Sequence, residues 1–505
     1  MSQYVLALDF GHGSARAIFV DLDSKKRFFS RKGWNYYSPE NDTYRKEFIP
    51  DDFFNTFCHL VSDLVKKHKI KSEDVVGIST ASMRHSNVFL DKNGKEVYAG
   101  SNTDVRGLFY QDAVEEKAGV DLYKLTGQWP PLMFMPSRLL WFKEEKPEVF
   151  KNIKHAMTTG DWLNYRLTGA IVTEPSLASA TMLFDLEKRR WLSSVVDALG
   201  LDSVDLPEVH NAGEQFGELK SDVAKKMNLG KGIPVSLGGG DTQLGLLACS
   251  AVNDNDICVV AGTSTPIMMV LPKPAIDEKR RIWTGCHVIP GKWMLEGNGQ
   301  MGGLSYSWLN DNFKNLLGKK EQETYAYMEK LASKISPGSD DMIASLGAEI
   351  FDINELSVVR PGIFTFPQPG HPMNTSPATF GHFIRSTLEN VSYAIRGNIE
   401  QIESIANKKN DELKVCGGMS RSKLWLEILS GVTQKNVLAT KDSDGTAIGC
   451  AICAAVGSGI YNDFKGALKE MVELQNIVTP KTELVEIYER SYNTWKEWYD
   501  RIGKL

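Results

Sequence analysis

Tyr4-Val-Leu-Ala-Leu-Asp-Phe-Gly-His-Gly-Ser-Ala-Arg-Ala-Ile-Phe-Val-Asp21 reads as a strand, a tight turn and a returning strand, and it decides the fold to expect. Apolar β-formers stand on both sides of Gly11 and Gly13, and the glycines supply the reversal. Asp9 closes the first strand; Ser14 and Arg16 open the second. About half a chain later the same shape returns as Ile257-Cys-Val-Val-Ala-Gly-Thr-Ser-Thr-Pro-Ile-Met-Met-Val270, with Gly262, Thr263 and Ser264 in the turn. Two hairpins of one kind, one opening each half, predict a duplicated α/β domain with a cleft between the copies. The competing reading is coincidence, since any glycine hairpin resembles another.

The rest of the chain alternates in the same way. Strand signals such as Val75-Val-Gly-Ile-Ser-Thr-Ala81 and Leu413-Lys-Val-Cys416 are interleaved with helical patterns over 53–68, 137–145, 380–405 and 422–432. The tail, 481–502, is aromatic and charged and reads most simply as an exposed terminal helix. Asn and Asp punctuate 250–256, which places a boundary between domains of residues 1–250 and 251–505. A length of 505 residues is too great for one ordinary core and agrees with two large domains.

With 42% hydrophobic and 24% charged residues the composition is that of a globular protein, and a net charge of −5 argues against a nucleic-acid binder. The longest apolar stretches fall short of the roughly 20 residues that span a bilayer. No basic, then apolar, leader opens the chain, so a cytoplasmic protein is expected. Seven cysteines are scattered. Cys450 and Cys453 form a C-x-x-C, but Thr446-Ala-Ile-Gly-Cys-Ala-Ile-Cys-Ala-Ala455 reads as a packed small-residue helix of reduced thiols rather than a zinc or redox site.

Four segments can carry chemistry. The turns at 11–14 and 262–264 can offer successive N–H groups to phosphate oxygens, with hydroxyls from Ser14, Thr263 and Ser264 and charge from Arg16. Asp9, at the end of the first strand, could hold Mg²⁺ through water. Gly238-Gly-Gly-Asp241 follows a strand and precedes an apolar helical run; three glycines permit unusual backbone angles and leave room for a ligand. A carboxylate delivered there can take a hydroxyl proton, and the plainer reading is a helix N-cap. Gly417-Gly-Met-Ser420 after a strand could cradle a nucleotide or be a flexible turn. Arg84 with His85, and Asp104 with Arg106, are polar pairs suited to a polyol, though a surface salt bridge or a solvated loop explains each pair alone. G-x-x-x-x-G-K-[ST] and G-x-G-x-x-G do not occur, which weakens P-loop and dinucleotide readings.

Together these segments resemble the FGGY carbohydrate kinases, of the actin/hexokinase-like ATPase superfamily. Asp9–Arg16 is similar to the family's first phosphate loop, Ala261-Gly-Thr-Ser264 to its second, Gly239-Gly-Asp241 to its catalytic-base motif and Gly417-Gly-Met-Ser-Arg-Ser-Lys-Leu-Trp425 to its adenosine motif; weaker echoes lie at 138–147 and 161–169. The resemblance implies an α/β fold of two ribonuclease-H-like (actin-like ATPase) domains that close on MgATP and a sugar. It implies that Asp241 is the base and that Asp9 and Asp241 place Mg²⁺. ATP would meet Gly11, His12, Gly13, Ser14, Arg16, Gly262, Thr263, Gly303, Gly418, Met419 and Ser422. The acceptor would meet Arg84, His85, Asn102, Asp104, Thr242 and Gln243.

There are departures from the family pattern. Family members often carry two threonines where this chain has His12 and Gly13. Xylulokinases usually show Met-His and then Trp-Asn-Asp-Gly-Arg, where this chain has Met83-Arg84-His85 and Asn102-Thr-Asp104-Val-Arg106. Those features, with His287-Val-Ile-Pro-Gly291, are closer to the autoinducer-2 kinases. The expectation is an ATP-dependent kinase acting on a small sugar or polyol. A pentulose such as xylulose ranks first and an open-chain dihydroxy-dione signal second, and the assembly to test is a homodimer. A reading from another class, a non-enzymatic actin-like nucleotide switch, needs no acceptor base.

Overall fold

The computed structural model describes residues 2–355, 360–366, 378–441 and 444–503. Two central sheets organise it, and we number their strands and the helices used below in chain order. The first sheet contains β1 (Tyr4–Phe10), β2 (Ser14–Asp21), β3 (Arg27–Gly33), β4 (Val75–Ser82), β5 (Gln215–Glu218) and β6 (Pro234–Gly240). Its spatial order is β5-β6-β4-β1-β2-β3. β1, β2 and β3 form an antiparallel meander, β4 and β6 add in parallel beside β1, and β5 returns antiparallel.

The second sheet contains β7 (Ile257–Val260), β8 (Pro266–Leu271), β9 (Trp283–Cys286), β10 (Trp293–Asn298), β11 (Glu412–Cys416), β12 (Asn436–Thr440) and β13 (Leu474–Val478), in the order β9-β10-β8-β7-β11-β12-β13. The meander is now β7-β8-β10, the parallel additions are β11 and β12, and β13 closes antiparallel. The same path is therefore run twice, with β9 as an extra edge. The duplication expected from the two hairpins is present.

Apolar patterning explains why each sheet is covered on both faces. On β1, Leu6, Leu8 and Phe10 join one core with helix α1 (Pro50–His68). Val5 and Ala7 point the other way, into a core shared with α3 (Asp241–Ala248) and α7 (Gly445–Gly457). Helix α1 carries Pro50 at its start, Asp51 and Asp52 in its first turn, and Lys66, Lys67 and His68 in its last, in the order its dipole favours. In the second half, α5 (Phe380–Ala406) and α6 (Lys423–Thr433) cover the sheet.

One expectation needs correcting here. The terminal helix α8 (Thr482–Ile502) is not an exposed appendage: Tyr488, Tyr492, Trp495 and Tyr499 are buried in the second core, and the Trp495 indole donates to Asn390 Oδ1 at 2.9 Å. Its charged residues are the solvent face of an amphipathic helix whose other face is aromatic. In addition, the change at 250/251 falls in the loop between α3 and β7, yet α7, from the second half, packs on the first sheet and on α3. The small residues of α7 are what allow this, because a Cβ on Gly449 would lie 2.1 Å from the Leu244 carbonyl oxygen. Cys450 and Cys453 are buried in that packing.

Candidate active site

A cleft of about 770 Å³ lies where the two halves meet. Its floor comes from the ends of the equivalent strands, as expected for open parallel sheets whose strands end at a crevice. From the first half come Arg16, Arg31, Asp241 and Thr242; from the second come Gly262, Thr263 and Ser264, Gly303 and Tyr306 of helix α4 (Gly302–Leu317), Gly417–Met419, Ser422 and Asp444–Thr446. The structure therefore gathers Arg16, Asp241, Thr242, Gly262, Thr263, Gly303, Gly418, Met419 and Ser422 around one space.

Asp241 is the first residue of α3, and Gly240 is its N-cap. The plainer helix-cap reading therefore does not apply to its side chain. Oδ1 accepts from the Thr242 N–H at 2.8 Å and the Thr242 hydroxyl at 3.2 Å, while Oδ2 has no partner among the described residues. Burial makes it a weaker acid than an ordinary aspartate, and the Arg84 guanidinium and the Thr242 donors pull it part of the way back.

The triple glycine works differently from the sequence reading. None of the three has a positive φ. A Cβ on Gly238 would meet the Thr80 carbonyl oxygen at 1.9 Å, one on Gly239 would meet Val288 Cγ1 at 2.6 Å, and one on Gly240 would meet Gln243 Oε1 at 2.4 Å. Close approach of β4, of the second half and of Gln243 is what demands glycine here. The left-handed glycine is Gly417 (φ 99°), whose Cβ would sit 2.5 Å from the Ala261 carbonyl oxygen. This joins the adenosine-type turn to the second phosphate-type turn.

Asp9 faces Arg16 across the β1–β2 ladder, and Arg16 Nη1 donates to its Oδ2 at 3.1 Å. Its Oδ1 is buried without a partner. Burial, opposed by Arg16 and reinforced by the negative charges of Asp241 and Asp444, pushes its carboxyl up to about 6. Among the described residues no three His, Cys, Asp or Glu side chains converge to hold a metal on their own. A Mg²⁺ that arrived with phosphate oxygens and kept its waters would need only one or two carboxylates from the protein. Asp9, with its unpartnered oxygen, and Asp241 fit that role.

The first turn is less directly engaged. Gly11 N–H closes it on the Ser14 carbonyl at 3.1 Å, and Ser14 Oγ accepts from Arg31 Nε at 3.0 Å. His12 stacks on Tyr36 and shares a 2.7 Å hydrogen bond with Asn102 Oδ1. Sequence reasoning assigned His12 to ATP and Asn102 to the acceptor; here they pair with each other, and neither they, Gly11, Gly13 nor Ser14 line the cleft.

Asp104 is a correction. Both of its oxygens are taken, by Arg106 Nε at 2.9 Å and Nη2 at 2.8 Å and by the Lys46 N–H at 3.0 Å, and the residue is fully buried. The pair is neither a surface bridge nor an acceptor contact. It is an internal clamp, with Arg106 also stacked on Tyr98 and Trp141. Arg138, at the start of helix α2 (Met135–Glu145), donates to the carbonyls of His85, Ser101 and Asp104 and so fixes both loops.

His85 is buried against Phe134 and Trp283 with both ring nitrogens unpaired, and Gln243 Oε1 is likewise buried and unpaired. Burial and the neighbouring Arg84 and Arg138 hold the imidazole well below its ordinary value, so it is neutral. Arg84 is fully engaged, its fork spread on Glu296 of β10 at 2.6 and 2.7 Å. Sequence reasoning missed Glu296, as it missed Asp444 and Thr446, whose hydroxyl donates to the Asp241 carbonyl oxygen at 3.1 Å. No local pattern marks any of them.

Two family models cover most of the chain: the N-terminal domain of the FGGY family of carbohydrate kinases over residues 4–248, and the C-terminal domain over residues 257–458. The autoinducer-2 kinase of Enterobacter sp. (strain 638) is 29% identical over 99% of this chain and 95% of its own length. Among solved structures, ligand-bound xylulose kinase from Lactobacillus acidophilus superposes with a TM-score of 0.84 at 18% identity, covering 99% of this chain and 98% of that one. Gluconate kinase from the same organism gives 0.84 at 18%, covering 100% and 99%. At such identities these two structures speak for the fold alone. The duplicated sheets, the cleft and both family models agree: this chain belongs to the FGGY family of carbohydrate kinases, phosphotransferases that use ATP as donor and an alcohol group as acceptor.

Proposed function

We propose that Asp241 is the base that deprotonates the acceptor hydroxyl for attack on the γ-phosphate of MgATP. One observation carries this reading: Asp241 stands in the wall of the interdomain cleft with one oxygen anchored and the other free, opposite the turns at 262–264 and 417–419. The fixed oxygen sets the direction of the carboxylate, and the free one is left to accept a proton. Its place in the first turn of α3 favours the ionised form. Phosphoryl transfer asks little covalent chemistry of the protein, and the rest of the site serves positioning and charge. Gly262, Thr263 and Gly303 would hold phosphates, and Gly418, Met419 and Ser422 the adenosine. Asp9 and Asp241 would hold Mg²⁺, which neutralises phosphate charge.

For the acceptor, the buried unpaired atoms of His85 and Gln243 support a polyhydroxylated molecule rather than an apolar one. Sequence reasoning ranked a pentulose first. The full-length likeness to autoinducer-2 kinases supports moving the open-chain dihydroxy-dione ahead of it. A cytoplasmic site of action fits such a substrate, and no helix among the described residues is long and apolar enough to cross a membrane.

The test is an ATP-coupled screen over the dihydroxy-dione, pentuloses, hexuloses, polyols and aldonates, repeated with Asp241→Asn. The wild type is expected to turn over ATP in an acceptor-dependent way, and the variant to lose at least about a hundredfold in kcat while binding ATP within a fewfold. Acceptor-independent turnover would favour the nucleotide switch, and a variant retaining a tenth of the rate would remove Asp241 as base.

A further inference from the structure

One rung of the first sheet carries Asp9, Arg16 and Arg31 side by side. Asp9 on β1 faces Arg16 on β2, and Arg16 faces Arg31 on β3. Residues in register share a face of a sheet, and this face also carries Val5, Ala7 and Ile18, which pack towards α7 of the second half. The two guanidinium groups are therefore cross-strand neighbours of like charge, an arrangement that by itself costs stability. Arg16 gives Nη1 to Asp9 Oδ2 at 3.1 Å. Arg31 is held differently: its Nε donates to Ser14 Oγ at 3.0 Å, and Nη1 and Nη2 have no partner among the described residues.

Both arginines line the cleft. They stand on its first-half wall with Asp241 and Thr242, while the turn at 262–264 and Gly303 belong to the wall of the second half. Ser14 is 2% exposed and does not itself line the cleft. The hydroxyl expected to meet phosphate instead fixes Arg31 through Nε. That leaves the other edge of a planar fork, Nη1 and Nη2, for an anion with paired oxygens, the geometry in which arginine binds phosphate. Nothing local in the sequence marks a cation on the third strand, and only the register with Arg16 brings it to the cleft.

We propose that Arg31 is a phosphate-binding residue of the transfer site, taking the γ-phosphoryl group of MgATP from the first-half side of the cleft. The proposal rests on the reading that the turn at 262–264 and Gly303 hold the phosphates. Arg16 is committed to Asp9, so Arg31 is the member of the rung left to meet the ligand, and an anion there offsets the repulsion between the two guanidinium groups. During transfer the bond from the γ-phosphorus to the ADP oxygen breaks and the bond to the acceptor oxygen forms, with the acceptor proton passing to Asp241. The non-bridging oxygens carry negative charge throughout, and a guanidinium fixed in advance stabilises it without reorganising. ADP lacks the group that Arg31 binds, so the contact distinguishes the two nucleotides.

The experiment titrates MgADP and the magnesium complex of the non-transferable β,γ-imido analogue of ATP calorimetrically into wild type, Arg31→Met and Arg31→Gln, and measures kcat with xylulose and the dihydroxy-dione. Arg31 is exposed on an edge strand, so its replacement leaves the core intact. Arg31→Met is expected to bind the imido analogue at least about tenfold more weakly and MgADP within about twofold of wild type, and to lower kcat at least about tenfold. Without ligand it should unfold at or above the wild-type temperature, because the like-charge rung is relieved. A folded variant in which the two affinities fall together overturns the proposal. So does one in which neither falls; if the acceptor KM then rises, Arg31 belongs to the acceptor instead. Should Arg31→Met fail to fold, the same ratio is read from Arg31→Gln, and an unchanged ratio overturns the proposal there. Gly303→Ala with wild-type affinity for both nucleotides refutes the placement of the phosphates, whereas an unchanged ratio at Arg31 alone refutes only Arg31, so the two failures are distinguishable.

Discussion

Replacing Asp9 by asparagine should make the protein more stable and less able to bind its metal–nucleotide, and the size of the first effect follows from the structure. The carboxyl is 3% exposed, has one oxygen without a partner, and is pushed from 3.8 to about 6 mainly by burial. A carboxyl raised in this way is harder to ionise folded than unfolded, so stability falls as pH rises from 3.8 through 6 and stays lower above it. At pH 8 that cost is about 3 kcal/mol, at 1.36 kcal/mol for each pH unit. Asparagine avoids it. The ion pair to Arg16 is given up as well, but its pull is already contained in the net shift to about 6. Denaturant titrations of wild type and Asp9→Asn at pH 4.5, 6 and 8 are the assay, paired with calorimetric titration of MgATP. The variant should gain about 3 kcal/mol at pH 8, most of which is gone at pH 4.5, and should bind MgATP at least tenfold more weakly. A variant no more stable than wild type at pH 8, or one whose advantage does not shrink in acid, would refute the argument that Asp9 is held at a cost for the sake of its ligand.

Because burial raises Asp241, activity should fall on acidification at a pH above the ordinary aspartate value, the protonated base being inactive; a kcat/KM profile with its acid limb at or below pH 3.8 would contradict this. Gly303→Ala places a methyl 1.8 Å from the Gly262 carbonyl oxygen and must displace the second phosphate turn, so KM for ATP should rise ten- to a hundredfold with little change in acceptor KM, measurable by steady-state kinetics. Trp495→Ala should cost about 3–5 kcal/mol in denaturant titrations, since the indole is fully buried between Tyr492 and Tyr499 and hydrogen-bonded to Asn390.

What could be read from the sequence was whatever is written locally. The hairpins at 4–21 and 257–270 announced the duplication because a strand, turn and strand is a contiguous pattern, and the sheets repeat one path around them. Asp241 was legible for the same reason, as a carboxylate at a strand-to-helix junction. The explanation attached to its glycines was not, because the atoms that forbid a side chain there belong to Thr80, Gln243 and Val288. Asp104 went astray in the same way: a polar residue in a loop looks like a ligand until its partners, Arg106 and the Lys46 N–H, are seen to occupy it. The terminal helix was misjudged because its aromatic face needed a second core to cover, and the residues of that core begin as far back as Ile257.

The same distinction explains why the proposed catalytic apparatus is divided between the halves. Asp241 belongs to the first half by sequence, yet its helix packs against α7 of the second, its carbonyl receives Thr446, and the arginine beside it is held by Glu296. Any relative motion of the two sheets would therefore change the surroundings of Asp241. If Asp241 is the base, as proposed, its strength would depend on the halves being together, an arrangement that would discourage transfer of phosphate to water while the acceptor is absent. The glycines at 238–240, which let the turn before Asp241 approach Arg84, Gln243 and Val288 closely, are the local sequence feature that brings this turn against the second half.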